Sequence, residues 1–270
     1  MNKIIVLDYN KNLISQLKRE RIIVRIKDFS QIEQEYGDSR RDNDVVAMYI
    51  EEPFLSVSQI YFNPKWENIP MVIKAYNLGD YHSFLNQVNS IRHLNIRIYL
   101  SSKSEKVYTE LKIMASTGID CGLWIDGPLD DEKFMDLASY NFVSPVKHAS
   151  IEPFDNILRN LYSEKHDNFD AVYFNDKTKF IHLNNDSNLS VLDMTDDEEF
   201  EHDVQSKMEC HYKHFLDLDK CSKCQAYKIC NHKLENLLSN CENTMEEVYE
   251  YAEMRHDIDN NQSMKTICQL

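Results

Sequence analysis

Apolar, β-branched runs alternate with amphipathic stretches through roughly the first 145 residues of this chain, a pattern open to few folds. Strands are predicted at Ile4 to Leu7, Ile22 to Ile26, Val45 to Ile50, Met71 to Tyr76, Ile96 to Leu100 and Gly122 to Ile125. Between the last three, YHSFLNQVNSIRHL and SEKVYTELKIMASTG read as helices. In the second, Val107, Leu111 and Met114 recur at helical spacing, Ser104 is the expected N-cap, and Gly118 is placed to stop the helix in the left-handed conformation. Strand, helix, strand repeats of this kind imply parallel strands with crossover helices, either a doubly wound sheet or a partial (β/α) barrel, and the near-continuous apolar strands agree with a sheet covered on both faces. In both, the functional end is the C-terminal edge of the strands, where Asn77, Ser101, Ser102 and Asp126 fall as a binding rim or as helix caps.

Around residues 145 to 169, SIEPFDNILRNLY reads as a helix leading into the polar stretch SEKHDN, a boundary region. AVYFNDKTKFIHLNNDSNLSVLD then reads as a small antiparallel meander, with Asn175-Asp176 and Asn184-Asn185-Asp186 as turns between alternating apolar residues. An acidic run, DDEEFEHD, precedes a cysteine-rich segment, and a charged helix, TMEEVYEYAEMRHDID, follows it. The expected fold class is therefore α/β, a partial (β/α) barrel-like parallel sheet followed by a β-meander and a cysteine-rich metal-binding unit, divided as 1–150 and 151–270.

That segment, KCSKCQAYKICNHKLENLLSNC, sets Cys221, Cys224 and Cys230 in C-x2-C-x5-C spacing with Cys241 beyond. Two thiolates separated by two residues fold onto one side of a tight turn, and a third extends the cage, so the spacing points to zinc or to an iron–sulfur cluster. The fourth ligand is either Cys241 downstream or Cys210 upstream in ECHYKHF, where His211 and His214 stand beside it. His211, His214 and His232 read as surface groups or as partners around the ligands. Cys121 reads as a core thiol and Cys268 as a tail thiol. Seven cysteines, an odd number, and a start, MNKIIVLDYN, with too short an apolar run for a secretory signal point to a reducing, cytoplasmic setting.

The net charge of −15 argues against nucleic acid and anionic membranes as partners, and no stretch is long and apolar enough to span a bilayer. Only five glycines are present, so no glycine-rich phosphate cradle can be built, and no Ser/His/Asp signature is visible.

A βα array, a short meander and then C-x2-C-x5-C ahead of another cysteine resembles the radical-SAM peptide maturases that carry a C-terminal SPASM or twitch domain. The resemblance implies that Cys221, Cys224, Cys230 and Cys241 hold an auxiliary [4Fe–4S] cluster. A full SPASM domain carries a further cysteine where this chain has Leu234, which implies a single cluster. Members of that family also hold a catalytic cluster through C-x3-C-x2-C, whereas only Cys121 precedes Cys210 here. The resemblance thus implies a pseudo-radical-SAM protein, an iron–sulfur accessory of a ribosomal peptide modification system that binds a precursor peptide or a partner maturase. Two alternatives stay open: a zinc-stapled interaction module, and a non-redox enzyme using the strand edge with Asp126, His82 or His148 as its acid–base group.

Overall fold

A computed structural model of the protein describes residues 3–17, 19–27, 44–52, 70–163, 167–176, 179–183, 221, 223–230 and 233–267. In chain order the elements begin with β1 (Ile4–Asp8), α1 (Lys11–Gln16), β2 (Arg21–Ile26), β3 (Asp44–Glu52) and β4 (Met71–Ala75). They continue with α2 (Tyr81–His93), β5 (Ile96–Ser101), α3 (Val107–Ser116), β6 (Cys121–Trp124) and α4 (Asp131–Val143). After these come β7 (Ile151–Glu152), α5 (Phe154–Tyr162), α6 (Phe169–Val172), β8 (Phe180–Leu183), α7 (Tyr227–Cys230) and α8 (Cys241–Ile267).

All eight strands join one parallel sheet in the order β7-β6-β5-β4-β3-β2-β1-β8. From β1 to β7 each strand lies beside its predecessor, and β8 then joins the free edge of β1. Such a sheet curls, and the aromatic contacts measure the curl. β3 and β6 would stand roughly 14 Å apart in a flat sheet, yet the rings of Tyr49 and Trp124 on those strands are 6.1 Å apart. The architecture is a curled, barrel-like α/β sheet whose edge strands β7 and β8 pair with β6 and β1, with no pairing between β7 and β8 among the described residues.

The turn after α6 spans from β6 to β8. Tyr173 donates its hydroxyl hydrogen to the Leu123 carbonyl of β6 at 2.8 Å, and the Phe174 carbonyl accepts from Nε2 of His182 on β8 at 2.8 Å. Phe174 has a φ of 59°, the left-handed region, and its ring meets Tyr49 at 6.2 Å and Phe180 at 5.6 Å. The barrel interior is thus filled by an aromatic layer of Tyr49, Tyr99, Trp124, Tyr173 and Phe174. Gly122 permits that packing: a Cβ there would stand 2.4 Å from Cε1 of Tyr99. On the other face of the strands, Ile50, Ile73, Ile98, Cys121 and Leu123 are buried beneath the helices.

The six strand expectations agree with β1 to β6 to within two residues at each end, and Gly118 follows α3 with a φ of 80° as expected. Three expectations are corrected. Ser104 does not cap α3: the cap position falls at Lys106 with no side-chain bond, and Ser104 is buried in a turn where its N–H donates to the Ser101 carbonyl at 3.1 Å. The helix expected from Ser150 begins at Phe154, because Ile151 and Glu152 pair with β6 first. The antiparallel meander is overturned within the described residues. Its first run holds the end of α6, a helix capped by the Asn168 side chain, and the turn after it, and its second run is β8, which pairs parallel with β1 because an edge strand of a curling sheet offers unpaired N–H and C=O groups. Residues 184–193, the remainder of that expected meander, lie outside the described residues. β7 and β8 belong to the same sheet as β1 to β6, so the sheet continues past residue 150.

Among the described residues no helix is long and apolar enough to cross a membrane.

Candidate functional site

Two constellations of reactive side chains stand on this barrel. One is the cysteine group. The Cys224 N–H donates to the Cys221 carbonyl at 3.2 Å, that of Tyr227 to Cys224 at 3.2 Å, and that of Cys230 to Ala226 at 2.8 Å. These successive turns carry the three thiols round in a compact coil, with Ala226, Ile229, Leu234 and Leu238 buried against the barrel. Leu234 is a fully buried core residue.

Cys241 is brought in by a carboxylate from another element. Asp131, in the first turn of α4, accepts from Ser239 N at 2.9 Å, Ser239 Oγ at 2.8 Å, Asn240 N at 2.8 Å and Thr244 Oγ1 at 3.0 Å. It therefore caps α8 from outside that helix and fixes the place where Cys241 begins it. Burial works to raise the Asp131 pKa, and those hydrogen bonds outweigh it and hold the carboxyl down at about 2. The Leu129 N–H donating to the Leu237 carbonyl at 2.7 Å closes the same junction.

The thiols feel one another. Burial pushes Cys230 up to about 12, with Cys241, Cys224 and Cys221 adding to the rise, and burial followed by Cys224 and Cys221 pushes Cys241 up to about 12. Cys221 is raised by burial, Glu235, Cys224 and Glu242, and Cys224 by burial, Glu242 and Glu246. Among the described residues no three His, Cys, Asp or Glu side chains stand in metal-holding geometry. The donor chemistry nevertheless fits a thiolate-bound cation: soft ligands gathered among carboxylates make thiolates costly until a positive centre offsets their repulsion. Cys210, Cys268, His211, His214 and His232 lie outside the described residues.

The second constellation is a cleft of 350 Å³ at the C-terminal ends of β3 to β6, lined by Glu51, Lys74, Ala75, Tyr76, Ser101, Lys103 and Asp126. The alternation of the strands puts these residues there: Glu51 is two past Tyr49 on the inner face, and Lys74 is in register with Glu51. Glu51 Oε1 accepts from Lys74 Nζ at 2.8 Å and from the Tyr49 hydroxyl at 3.1 Å. Burial works to raise Glu51, and the bond and charge of Lys74, with the Tyr49 bond, hold it below the usual carboxylate range. Burial and then Glu51 push the Tyr49 phenol up. The Lys74 ammonium lies 4.5 Å from the centre of the Trp124 ring, so this ion pair rests on the aromatic layer.

Across the cleft, Ser101 Oγ donates to Asp126 Oδ1 at 2.7 Å, and Ser102 Oγ reaches the same oxygen at 3.3 Å. Ser102 Oγ also accepts from Gly127 N at 2.9 Å, which ties the β6 loop to β5. The Tyr76 hydroxyl donates to the Lys103 carbonyl at 3.1 Å.

Of the residues expected at the rim, Ser101, Ser102 and Asp126 come together as one bonded group. Asn77 does not join them: its Oδ1 accepts from Gly79 N at 2.9 Å and closes a turn. Neither His82 nor His148 lines the cleft. His82 follows the Asp80 cap of α2, and His148 stacks on Tyr140 with ring centres 4.8 Å apart.

Compared with known proteins, the chain matches no family, no curated protein and no solved structure. The site therefore rests on its own chemistry.

Sequence reasoning passed over Glu51, Lys74, Tyr76 and Lys103. The signal was there in the polar residues that interrupt the apolar strands at period two, as in the MVIKAY run. It also passed over Glu152, which is 1% exposed at the opposite end of the barrel interior. Glu152 Oε1 accepts from Arg159 at 2.7 Å and Arg97 at 3.4 Å, and its Oε2 accepts from Asn156 N at 3.0 Å. Burial pushes its carboxyl up while the guanidiniums oppose that, a fully satisfied arrangement suited to holding β5, β7 and α5 together.

Proposed function

We propose that this protein is a metal–thiolate accessory protein, carrying one [4Fe–4S] cluster or, in the alternative, zinc, on Cys221, Cys224, Cys230 and Cys241, and serving a cytoplasmic peptide-modification system by binding a precursor peptide or a partner maturase. The observation that supports the reading is the mutual electrostatic influence of these thiols. They come from two chain segments and raise one another's pKa values, and Asp131 clamps the last of them to the barrel. A bound cluster would supply an electron-storing or Lewis-acidic centre at that place; the protein's own part is to gather the thiols and hold them rigid.

Two further observations support an accessory role over a radical-generating one. The turn after β1 carries Tyr9 and Asn10, and Asn10 caps α1 through bonds to Asn12 N and Leu13 N, so no thiol stands there. Cys121, the sole cysteine before Cys210, is fully buried on the outer face of β6 with its Sγ 3.6 Å from the Leu111 carbonyl.

The test is metal and sulfide analysis of anaerobically purified protein, with Cys241→Ala and Cys210→Ala compared. Iron and sulfide in cluster proportions, lost in Cys241→Ala and kept in Cys210→Ala, is the expected result. Stoichiometric zinc without iron would move the protein to the zinc-stapled reading, and absence of both metals from protein purified and reconstituted would end the proposal.

A further inference from the structure

The strand-edge cleft holds two pairs of opposite charges, and only one pair is satisfied internally. Lys74 and Glu51 neutralise each other at 2.8 Å on the Trp124 face. Asp126 and Lys103 also line the cleft, yet among the described residues neither has an ion-pair partner. Both are positioned rather than left loose. The hydroxyls of Ser101 and Ser102 converge on Oδ1 of Asp126, so that oxygen is spoken for, and among the described residues Oδ2 has no hydrogen-bond partner. The Lys103 backbone is held by the Tyr76 hydroxyl on its carbonyl and by its own N–H donating to Ser101 Oγ at 3.2 Å. Its aliphatic stem crosses Gly127, the residue after Asp126, where a Cβ would stand 2.6 Å from Lys103 Cγ. The missing side chain at Gly127 is what leaves room for the lysine stem along the β6 loop.

We propose that this cleft binds a small zwitterion, its ammonium group on Asp126 and its carboxylate on Lys103. Charge complementarity selects the class. A simple anion would meet Asp126 and Glu51, a simple cation would meet Lys103 and Lys74, and an uncharged ligand would leave both unpaired groups desolvated without compensation. A volume of 350 Å³ suits a free amino acid or a peptide of two or three residues. Both sources share the same terminal chemistry and differ in the distance between their charges. This site shares no residue with the thiol group, so it stands or falls independently of the metal.

Calorimetric titration of the purified protein with leucine, leucyl-glycine and leucyl-glycyl-glycine, each also as its N-acetyl and its amide form, tests the proposal. At least one of the uncapped probes is expected to bind, and capping either end should weaken it tenfold or more. The preferred length separates a free amino acid from a peptide. Lys103→Met should abolish the penalty for amidation, and Asp126→Asn, which retains an oxygen for the serine hydroxyls, should abolish the penalty for acetylation. Should Asp126→Asn fail to fold, Lys103→Met alone decides the matter, since Lys103 is exposed at the rim. No binding by any uncapped probe, or binding indifferent to capping and to Lys103→Met, overturns the assignment.

Discussion

Replacing Asp131 by alanine should loosen the junction between the barrel and the cysteine segment while leaving the barrel folded. The carboxylate takes hydrogen bonds from Ser239 N, Ser239 Oγ, Asn240 N and Thr244 Oγ1 at 2.8–3.0 Å. Loss of a helix cap costs about 1 kcal/mol, and bonds to a charged acceptor are worth roughly 1.5–3 kcal/mol each when sheltered. Asp131 stands near the surface, where water replaces much of what is removed, so a total of about 2 kcal/mol is the appropriate expectation. If unfolding is cooperative, that lowers the midpoint by roughly 4–8 °C. Asparagine has a single acceptor oxygen and can serve only one side of the junction, so Asp131→Asn should fall between alanine and the native protein. The pH dependence has a definite sign. A carboxyl held down at about 2 in the folded protein, against an ordinary value near 3.8, contributes stability that is present above pH 4 and lost as the pH falls towards 2. That loss should be smaller in Asp131→Ala. Hydrogen exchange at the start of α8, with thermal unfolding between pH 2 and 7, reads both effects. An unchanged midpoint with unchanged protection from Cys241 to Val248 would refute the claim that this carboxylate holds the thiol segment in place.

Gly122→Ala forces a methyl group to within 2.4 Å of the Tyr99 ring and 3.0 Å of the Glu152 Cβ, and overpacking of this kind typically costs about 1–3 kcal/mol; a denaturant midpoint equal to the native one would mean that the ring moves aside freely. Reconstituted and reduced protein is expected to release no 5′-deoxyadenosine from S-adenosylmethionine, because the turn after β1 presents no thiol; product above background by chromatography would remove the accessory reading and require a second cluster site.

The spacing C-x2-C-x5-C marks Cys221, Cys224 and Cys230 as local to one another in the chain, and successive backbone turns link them. How Cys241 joins them was not legible, because Asp131 is more than a hundred residues away in sequence. The cleft was half legible. Ser101, Ser102 and Asp126 could be placed at strand ends from periodicity alone, whereas Asn77, equally well placed, turned out to serve a local turn. Lys74 lies inside a strand read as near-continuously apolar, and Glu51 just past the expected end of another at Ile50.

The sequence by itself determined β1 to β6 and their parallel arrangement, because strand identity follows from apolar period and crossover length, both properties of a short stretch of chain. Only the tertiary structure decided that the sheet curls in sequential order and that residues 180–183 close onto β1 in place of forming a meander. Curling brings strands three apart in the sheet within aromatic contact, and it turns the polar alternate residues of β3 to β7 inward, where Trp124 and Gly122 set the space left to them. Those are relations between positions far apart in the chain, decided by the packing of side chains that meet only once the sheet has curled.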